Sequence, residues 1–430
     1  MNKFSSMEDD FESLKKYNFW DGNIPQLGFE RETYTNSILE YTGNKLIKVL
    51  VGQRRVGKSY LLRQLANKLI KQGINAQNIF YLNKEFTDFD SISNYKDVEK
   101  LIAIYKSTIQ PIGKIYLFID EIQNIEGWEH FANSFSQNYV DEHELFISGS
   151  NSKMLSGELA TLLSGRYVTF EIFPFSFNEF AHATGKEPNK LTYIEYMESG
   201  GLPELFILPN NQTKRNYISA IKDSVLLRDI IQRYSIKDPK LLEDIFVYLV
   251  NNASNLVSIN NIVNFFKSNN RKTTYDTVSN YIEYIVDTFL VHKVERYDIK
   301  GKDIVLGNCK YYINDLAFKN YLYQGFSYGI GYKLENLVYL EILRSGFDVF
   351  TGALKNREID FIAKKGNRVI YFQVTYILEN ESTIKREYTP LQNILDNYEK
   401  VVISLDDIVF PSNEGILHVQ AWKLADFLKQ

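Results

Sequence analysis

A chain of 430 residues with 24% charged residues, a formal net charge of −4 and a single cysteine has room for roughly two to four domains with separate cores. Its overall charge offers no global attraction to nucleic acid or an anionic membrane, so a DNA contact would need a local basic patch, and the lone Cys309 excludes an internal disulfide framework. The acidic, polar start at 1–16 and the lack of any run near about 18 uncharged apolar residues argue against a secretory signal or a membrane span and for a soluble, cytoplasmic protein.

Residues 1–40 read as an N-terminal segment. From 41 to 180 strands are expected at 46–51, 79–83, 115–120, 145–148 and 167–172 with helices between them, the βα pattern of a parallel sheet covered on both faces. The first strand runs into Gly52-Gln53-Arg54-Arg55-Val56-Gly57-Lys58-Ser59, a complete phosphate-binding P-loop pattern, and Tyr60 leads an amphipathic helix to Lys71 that Gly73 closes. Gly52 and Gly57 let the backbone bend until its N–H groups point at phosphate oxygens, and the positive end of the helix dipole adds to that field. The expected nucleotide contacts are therefore Gly52 through Ser59, followed by Tyr60. Lys58 is placed to reach the β- and γ-phosphates, and Ser59 to put its hydroxyl on Mg²⁺.

The third strand ends in the adjacent pair Asp120-Glu121. Asp120 is expected to hold the Mg²⁺ water shell and Glu121 to orient and deprotonate the attacking water, which argues for hydrolysis. A GTPase would carry an Asn-Lys-x-Asp segment, but Asn83-Lys84-Glu85-Phe86 has Phe where the Asp belongs. Small-molecule kinases generally lack a base beside the Mg²⁺ aspartate and are shorter. ATP is thus the expected nucleotide, lying at the carboxyl ends of the strands. Ser148-Gly149-Ser150-Asn151 follows a strand on the same rim, and Ser148 or Asn151 reads either as a contact to the γ-phosphate or water, or as an ordinary turn or cap.

Beyond 180 the texture becomes helical, with a lid or linker at 181–235. Helices at 240–251, 259–268 and 274–289 and strand-like runs at 290–294 and 310–313 suggest a winged helix over 236–315, a fold whose third helix often enters the major groove of DNA. Arg271 and Lys272 precede that helix, but Asp276, Glu283 and Asp287 make its exposed face acidic and repel phosphates, so a packing or lid role stands beside the DNA reading. Residues 316–430 read as an α+β domain: a helix at 333–345, strands at 348–351, 357–363 and 369–376, a helix near 390–398, a strand at 400–404 and a terminal helix from Trp422. Glu335, Asp360 and the strand 371–375 fall where a restriction-nuclease core keeps its metal site.

The P-loop, Asp120-Glu121-Ile122-Gln123, Ser148-Gly149-Ser150-Asn151, Gly165-Arg166-Tyr167 and Pro174-Phe175-Ser176-Phe177-Asn178-Glu179-Phe180 together resemble the bacterial and archaeal AAA+-type ATPases whose C-terminal half is a domain of unknown function, DUF4143. Gly200-Gly201-Leu202-Pro203-Glu204, Leu227-Arg228-Asp229-Ile230, Lys310-Tyr311-Tyr312-Ile313-Asn314-Asp315, Leu334-Glu335-Asn336 and Glu358-Ile359-Asp360-Phe361 look like landmarks of that second half. The resemblance implies a core with a strand inserted between the Lys58 and Asp120 strands, followed by a winged helix. It makes Arg166 an arginine-finger or sensor candidate, acting within its own subunit or on a neighbour, against a surface salt bridge. It also makes Gly201-Leu202-Pro203 a candidate nucleotide-sensing segment. The last domain is similar to the PD-(D/E)xK nucleases but carries Gln373-Val374-Thr375 in place of Glu-x-Lys. Gln373 is a poor metal ligand and Thr375 supplies no cation, which implies a domain that binds without cutting.

These readings combine into an Mg²⁺-dependent ATPase whose hydrolysis changes the relation between the core and a C-terminal half that engages DNA or another partner, with a homo-oligomer among the expected assemblies. A nucleotide-switched signalling or interaction protein with no DNA role is the alternative. An active nuclease is the third reading.

Overall fold

The computed structural model describes residues 3–138, 140, 142–152, 163, 165–323, 329–354 and 357–429. The chain divides into two compact units, Met1–Ile172 and Phe173–Gln430.

The first unit is built on five strands, β1 (Ile47–Val51), β2 (Ile79–Asn83), β3 (Ile115–Asp120), β4 (His143–Gly149) and β5 (Tyr167–Glu171), paired in parallel in the order β2-β3-β4-β1-β5. Because β4 pairs with both β1 and β3, it is the inserted strand that separates the phosphate-loop strand from the Asp120 strand. The strands are apolar on both faces, and β1, β2 and β3 are buried throughout, as a doubly covered sheet requires. From β1 to β2 the chain moves across the sheet one way, and from β2 to β3 and β4 it moves back. Right-handed crossovers then put helix Lys58–Lys71 on one face and helices Tyr95–Ile109 and Trp128–Gln137 on the other.

The N-terminal segment is part of this unit and protects a sheet edge. Helix Lys3–Tyr17 packs on β2 and on helix Tyr95–Ile109. Just after it, the Asn18 side chain donates to Tyr81 O at 2.9 Å and accepts from Tyr81 N at 2.7 Å, while Trp20 Nε1 donates to Ile79 O at 2.8 Å. These bonds satisfy the outer edge of β2, which would otherwise be open to another strand.

The second unit holds an eight-stranded mixed sheet in the order β13-β12-β11-β10-β9-β7-β8-β6. Its strands are β6 (Leu256–Val257), β7 (Val291–Asp298), β8 (Asp303–Ile313), β9 (Asp348–Leu354), β10 (Arg357–Lys365), β11 (Arg368–Val374), β12 (Glu399–Ser404) and β13 (Ile416–Gln420). Helices Pro239–Asn251, Ile259–Ser268 and Tyr275–Asp287 precede the ribbon β7–β8, close to the spans expected from the sequence. This ribbon is not separate from the strands that follow, because β7 pairs in parallel with β9, Arg296 opposite Thr351 and Asp298 opposite Ala353. Helix Ile330–Arg344 packs on β8, β9, β10 and β11.

The sequence does not anticipate strands β6 and β13, and one helix lies elsewhere than expected. The helix anticipated near 390–398 runs instead over Glu381–Gln392. Asn380 caps its start by accepting from Thr383 N at 2.9 Å, and Pro390 lies in its last turn rather than its first. Sequence alone reads proline as a helix opener, whereas here it precedes the end of the helix.

Candidate functional site

The phosphate loop is shaped by what surrounds its glycines. Gly52 has φ +145°, and a Cβ there would stand 2.2 Å from Ile172 O, because Ile172 N donates to Val51 O at 2.7 Å and pulls the two chains together. Gly57 has φ +94° and caps the helix that starts at Lys58, and the space a Cβ would enter there is open to 4 Å. An unobstructed cradle at a helix N-terminus fits a phosphate. Gln53 and Val56 are buried, Arg54 is half-buried with its Nη1 3.0 Å from Glu85 Oε1, and Arg55 is exposed with φ +70°. Lys58 Nζ folds back to donate to Gly52 O at 3.0 Å and Gln53 O at 3.1 Å.

Asp120 and Glu121 end β3 in buried positions with different surroundings. Asp120 Oδ2 accepts from Asn83 Nδ2 at 2.9 Å and from Tyr81 OH at 3.1 Å, Oδ1 accepts from the Ser148 hydroxyl, and the Ser59 hydroxyl also donates to this carboxylate. Burial pushes Asp120 above the usual carboxylate range, and the Glu121 charge adds to it against those hydrogen bonds. For Glu121 burial pushes the same way, but Lys58, the Gln123 hydrogen bond, Arg54 and Ser150 outweigh it and hold the carboxyl low. Its Oε1 is 3.7 Å from Lys58 Nζ. Glu121 has φ +53°, a sparsely populated conformation that costs on the order of 1 kcal/mol and turns the chain at the strand end. The oxygens of Ser59 and Asp120 form a hard donor pair beside the cradle, a set that suits Mg²⁺.

Over residues 44–181 the chain matches the model of an AAA domain, and over 190–328 that of a domain of unknown function, DUF8612. An uncharacterized protein of Haemophilus influenzae is 37% identical over 379 residues, covering 87% of this chain and 92% of that one. The chain belongs to this family of AAA proteins. An uncharacterized protein of Methanocaldococcus jannaschii is 32% identical, covering 84% of this chain and 82% of its own. Among solved structures the chain is similar to the Thermotoga maritima RuvB Holliday junction branch migration motor, with TM-score 0.32, 18% identity and 61% of this chain and 88% of that one covered. It is similar also to Aeropyrum pernix ORC1 in complex with DNA, with TM-score 0.34, 13% identity and 71% and 95% covered. Membership supports a nucleotide-binding P-loop ATPase. The second matched model is DUF8612, where the sequence resemblance named DUF4143.

Three residues singled out on the AAA domain take up particular places. Ser148 bridges the acid pair, donating to Asp120 and accepting from Glu121 N at 3.0 Å, and Asn151 is buried. Arg166 is exposed at the opposite rim, where its carbonyl accepts from Ile47 N at 2.9 Å. β1 separates it from Gly52 by five residues, roughly 16 Å of strand. Arg166 thus stands just before the start of β5, whereas the phosphate loop follows the end of β1. Sequence reasoning missed Tyr81 and Asn83, which meet Asp120 only because β2 pairs with β3 in register, Asn83 opposite Asp120. It also missed Arg31, whose Nη1 donates to Val56 O at 3.1 Å, and Gln64, whose Nε2 holds Leu27 O and Phe29 O at 2.7 and 2.6 Å. Tyr60 packs against Gly28, where a Cβ would stand 2.6 Å from its ring.

In the second unit Asp315 accepts from Gly201 N at 2.8 Å, and a Cβ on Gly200 would fall 2.1 Å from its Oδ1, so the Gly-Gly pair is a tight packing joint. The side chains of Leu227 and Arg228 lie outside the described residues. Arg271, ahead of the third helix, is engaged by Asp238 at 3.0 Å and by Asp244. Near Glu335 and Asp360 a cation comes from another strand, not from position 375. Lys310 of β8 reaches Glu335 at 2.9 Å and Glu358 at 2.7 Å, and Tyr312 OH donates to Glu335 at 2.7 Å. Asp360, at a bulge of β10, accepts from Val374 N at 2.8 Å. Among the described residues no group of three or more His, Cys, Asp or Glu is arranged to hold a metal ion, and no helix is long and apolar enough to cross a membrane.

Proposed function

We propose that the chain is an Mg²⁺-dependent ATP hydrolase. The reading is carried by one arrangement: Ser59 beside Asp120 and Lys58 beside Glu121, on the rim where the open Gly57 cradle lies. The backbone from Gly52 to Gly57 and Lys58 would hold the phosphates, and Ser59 and Asp120 would hold Mg²⁺, which when bound neutralises phosphate charge. Triphosphate oxygens compete with Gly52 O, Gln53 O and Glu121 for the Lys58 ammonium, which leaves Glu121 free to take a proton from the attacking water. Asn151 is buried at the end of β4 and is the remaining candidate to meet the γ-phosphate or that water. The position of Arg166 favours a role on the nucleotide of a second copy, hence a homo-oligomer.

For the second unit we favour a DNA-associated role with cleavage absent, resting on the winged-helix-like order of three helices and a ribbon and on the nuclease-like placement of Glu335 and Asp360. A protein partner is the competing reading, favoured by the acidic third helix and by Arg271 being tied to two aspartates. ATP hydrolysis measured with and without duplex or single-stranded DNA tests both. Stimulation and retention on DNA that fall steeply with salt support the DNA role, and salt-insensitive indifference to DNA supports the protein partner. In the same assay Lys58→Ala is expected to weaken nucleotide binding by about tenfold or more. Glu121→Gln should bind ATP normally while turnover falls by about 10²-fold or more. Normal turnover in Glu121→Gln would remove the assigned base.

A further inference from the structure

Gln123 lies directly beside the assigned base. Its Nε2 donates to Glu121 Oε2 at 2.5 Å and reaches toward Ser150 Oγ at 3.4 Å. The contact is built by the backbone. Glu121 turns through φ +53°, and the single helical turn Ile122–Asn124 follows, closed by Asn124 N donating to Glu121 O at 3.1 Å and Ile125 N donating to Ile122 O at 3.0 Å. Buried Ile122 anchors that turn, so residue 123 is folded back onto the side chain of residue 121.

The two oxygens of Glu121 therefore have different partners. Oε1 faces the Lys58 ammonium at 3.7 Å, on the phosphate side, while Oε2 is held by Gln123. When a triphosphate draws Lys58 away, that restraint on the carboxylate is lost while the Gln123 and Ser150 hydrogen bonds stay. The carbonyl of the same amide, Gln123 Oε1, is buried with no hydrogen-bond donor among the described residues. A buried acceptor left in that state is costly, and a donor arriving with the nucleotide or its water would relieve it.

We propose that Gln123 is the positioning residue for the base: its amide N–H holds Glu121 Oε2 so that Oε1 stays aimed at the reacting water once Lys58 has moved to the phosphates. This rests on the ATP hydrolase reading. An effect that exists only when the base is in use raises kcat without tightening ground-state binding.

The experiment compares wild type, Gln123→Leu, Gln123→Glu, Glu121→Gln and the double variant Glu121→Gln/Gln123→Leu as full-length protein. It measures kcat and KM for ATP, affinity for the non-hydrolysable AMPPCP, affinity for ADP with aluminium fluoride as a transition-state mimic, and melting temperature. Gln123→Leu should lower kcat about tenfold or more while KM and AMPPCP affinity stay within about twofold. Its aluminium fluoride complex should weaken by a factor close to the loss in kcat. Gln123→Glu, which keeps the size but puts a second charge beside Glu121, should lose at least as much, and Gln123→Leu should cost the mimic no further affinity once Glu121 is already Gln. Wild-type kcat in Gln123→Leu overturns the proposal, as does an equal loss with and without Glu121, or a fall in melting temperature with AMPPCP binding lost in both Gln123 variants. If wild type binds ATP without turning it over, the hydrolase reading itself fails, and that outcome is seen before any Gln123 variant is compared.

Discussion

Two neighbouring carboxyl groups pushed in opposite directions show how much a few ångströms decide at the level of single residues. Asp120 is buried among neutral donors beside another carboxylate and rises, whereas Glu121 has an ammonium, an amide and the Arg54 charge near it and falls. The same physics acts on His292, which lies in β7 between the rings of Phe173 and Tyr339, with Nε2 3.1 Å from Asn314 Oδ1. Burial pushes its pKa down to about 4, and the Arg344 charge acts in the same direction while the Asn314 hydrogen bond opposes it. Unfolded histidine takes up a proton near pH 6.5 that the folded chain refuses until about pH 4, so the unfolded state binds more protons in between. The stability this neutral ring contributes is full above pH 6.5 and is lost as the pH falls through that window, roughly 2 to 3 kcal/mol by pH 4.5. His292→Gln should flatten that part of the acid slope in urea unfolding followed at pH 7 and pH 4.5. An unchanged slope would mean that His292 is charged in the folded chain.

Among the elements, what was legible in the sequence was what is local in it. The phosphate loop, the acid pair and the five strands of the first sheet each occupy a few consecutive residues, and their types follow from periodicity and turn chemistry. The inserted strand was legible only through family resemblance. The surroundings of Asp120 were not legible, because Tyr81, Asn83 and Ser148 come from β2 and β4 and converge only through strand register. Lys310 was missed for the same reason: a motif search looks for the cation two residues beyond Gln373, and the structure supplies it from β8. That lysine joins β8, helix Ile330–Arg344 and β10, with Lys310 and Glu335 both nearly excluded from solvent and Glu358 about one-third exposed. Lys310→Met leaves a buried carboxylate without its counter-ion and should cost about 3–5 kcal/mol. Adding Glu335→Leu should recover most of it, since an apolar pair of similar volume needs no desolvation. Urea unfolding of both variants checks this, and a mild Lys310→Met would show that Glu335 carries no charge in the folded state.

For the molecule as a whole, the continuous sheet of the second unit decides where the chain can be cut. A division at 315/316, between a winged-helix-like segment and a nuclease-like one, passes between β8 and β9 and separates β7 from its parallel partner β9. It also removes Lys310 from Glu335 and Glu358, and it parts β8 from helix Ile330–Arg344, where Asn336 exchanges hydrogen bonds with Ile313 N at 2.9 Å and Ile313 O at 2.8 Å. A 316–430 fragment would expose the edge of β9 and leave buried acids without a cation, both strongly unfavourable. A 173–430 fragment keeps every pairing of the eight-stranded sheet. It should give a cooperative melt and dispersed amide resonances, whereas 236–315 and 316–430 expressed alone should show neither. Independent, cooperative folding of 316–430 would mean that the β7–β9 pairing is an accessory contact and that the second unit contains two folding domains.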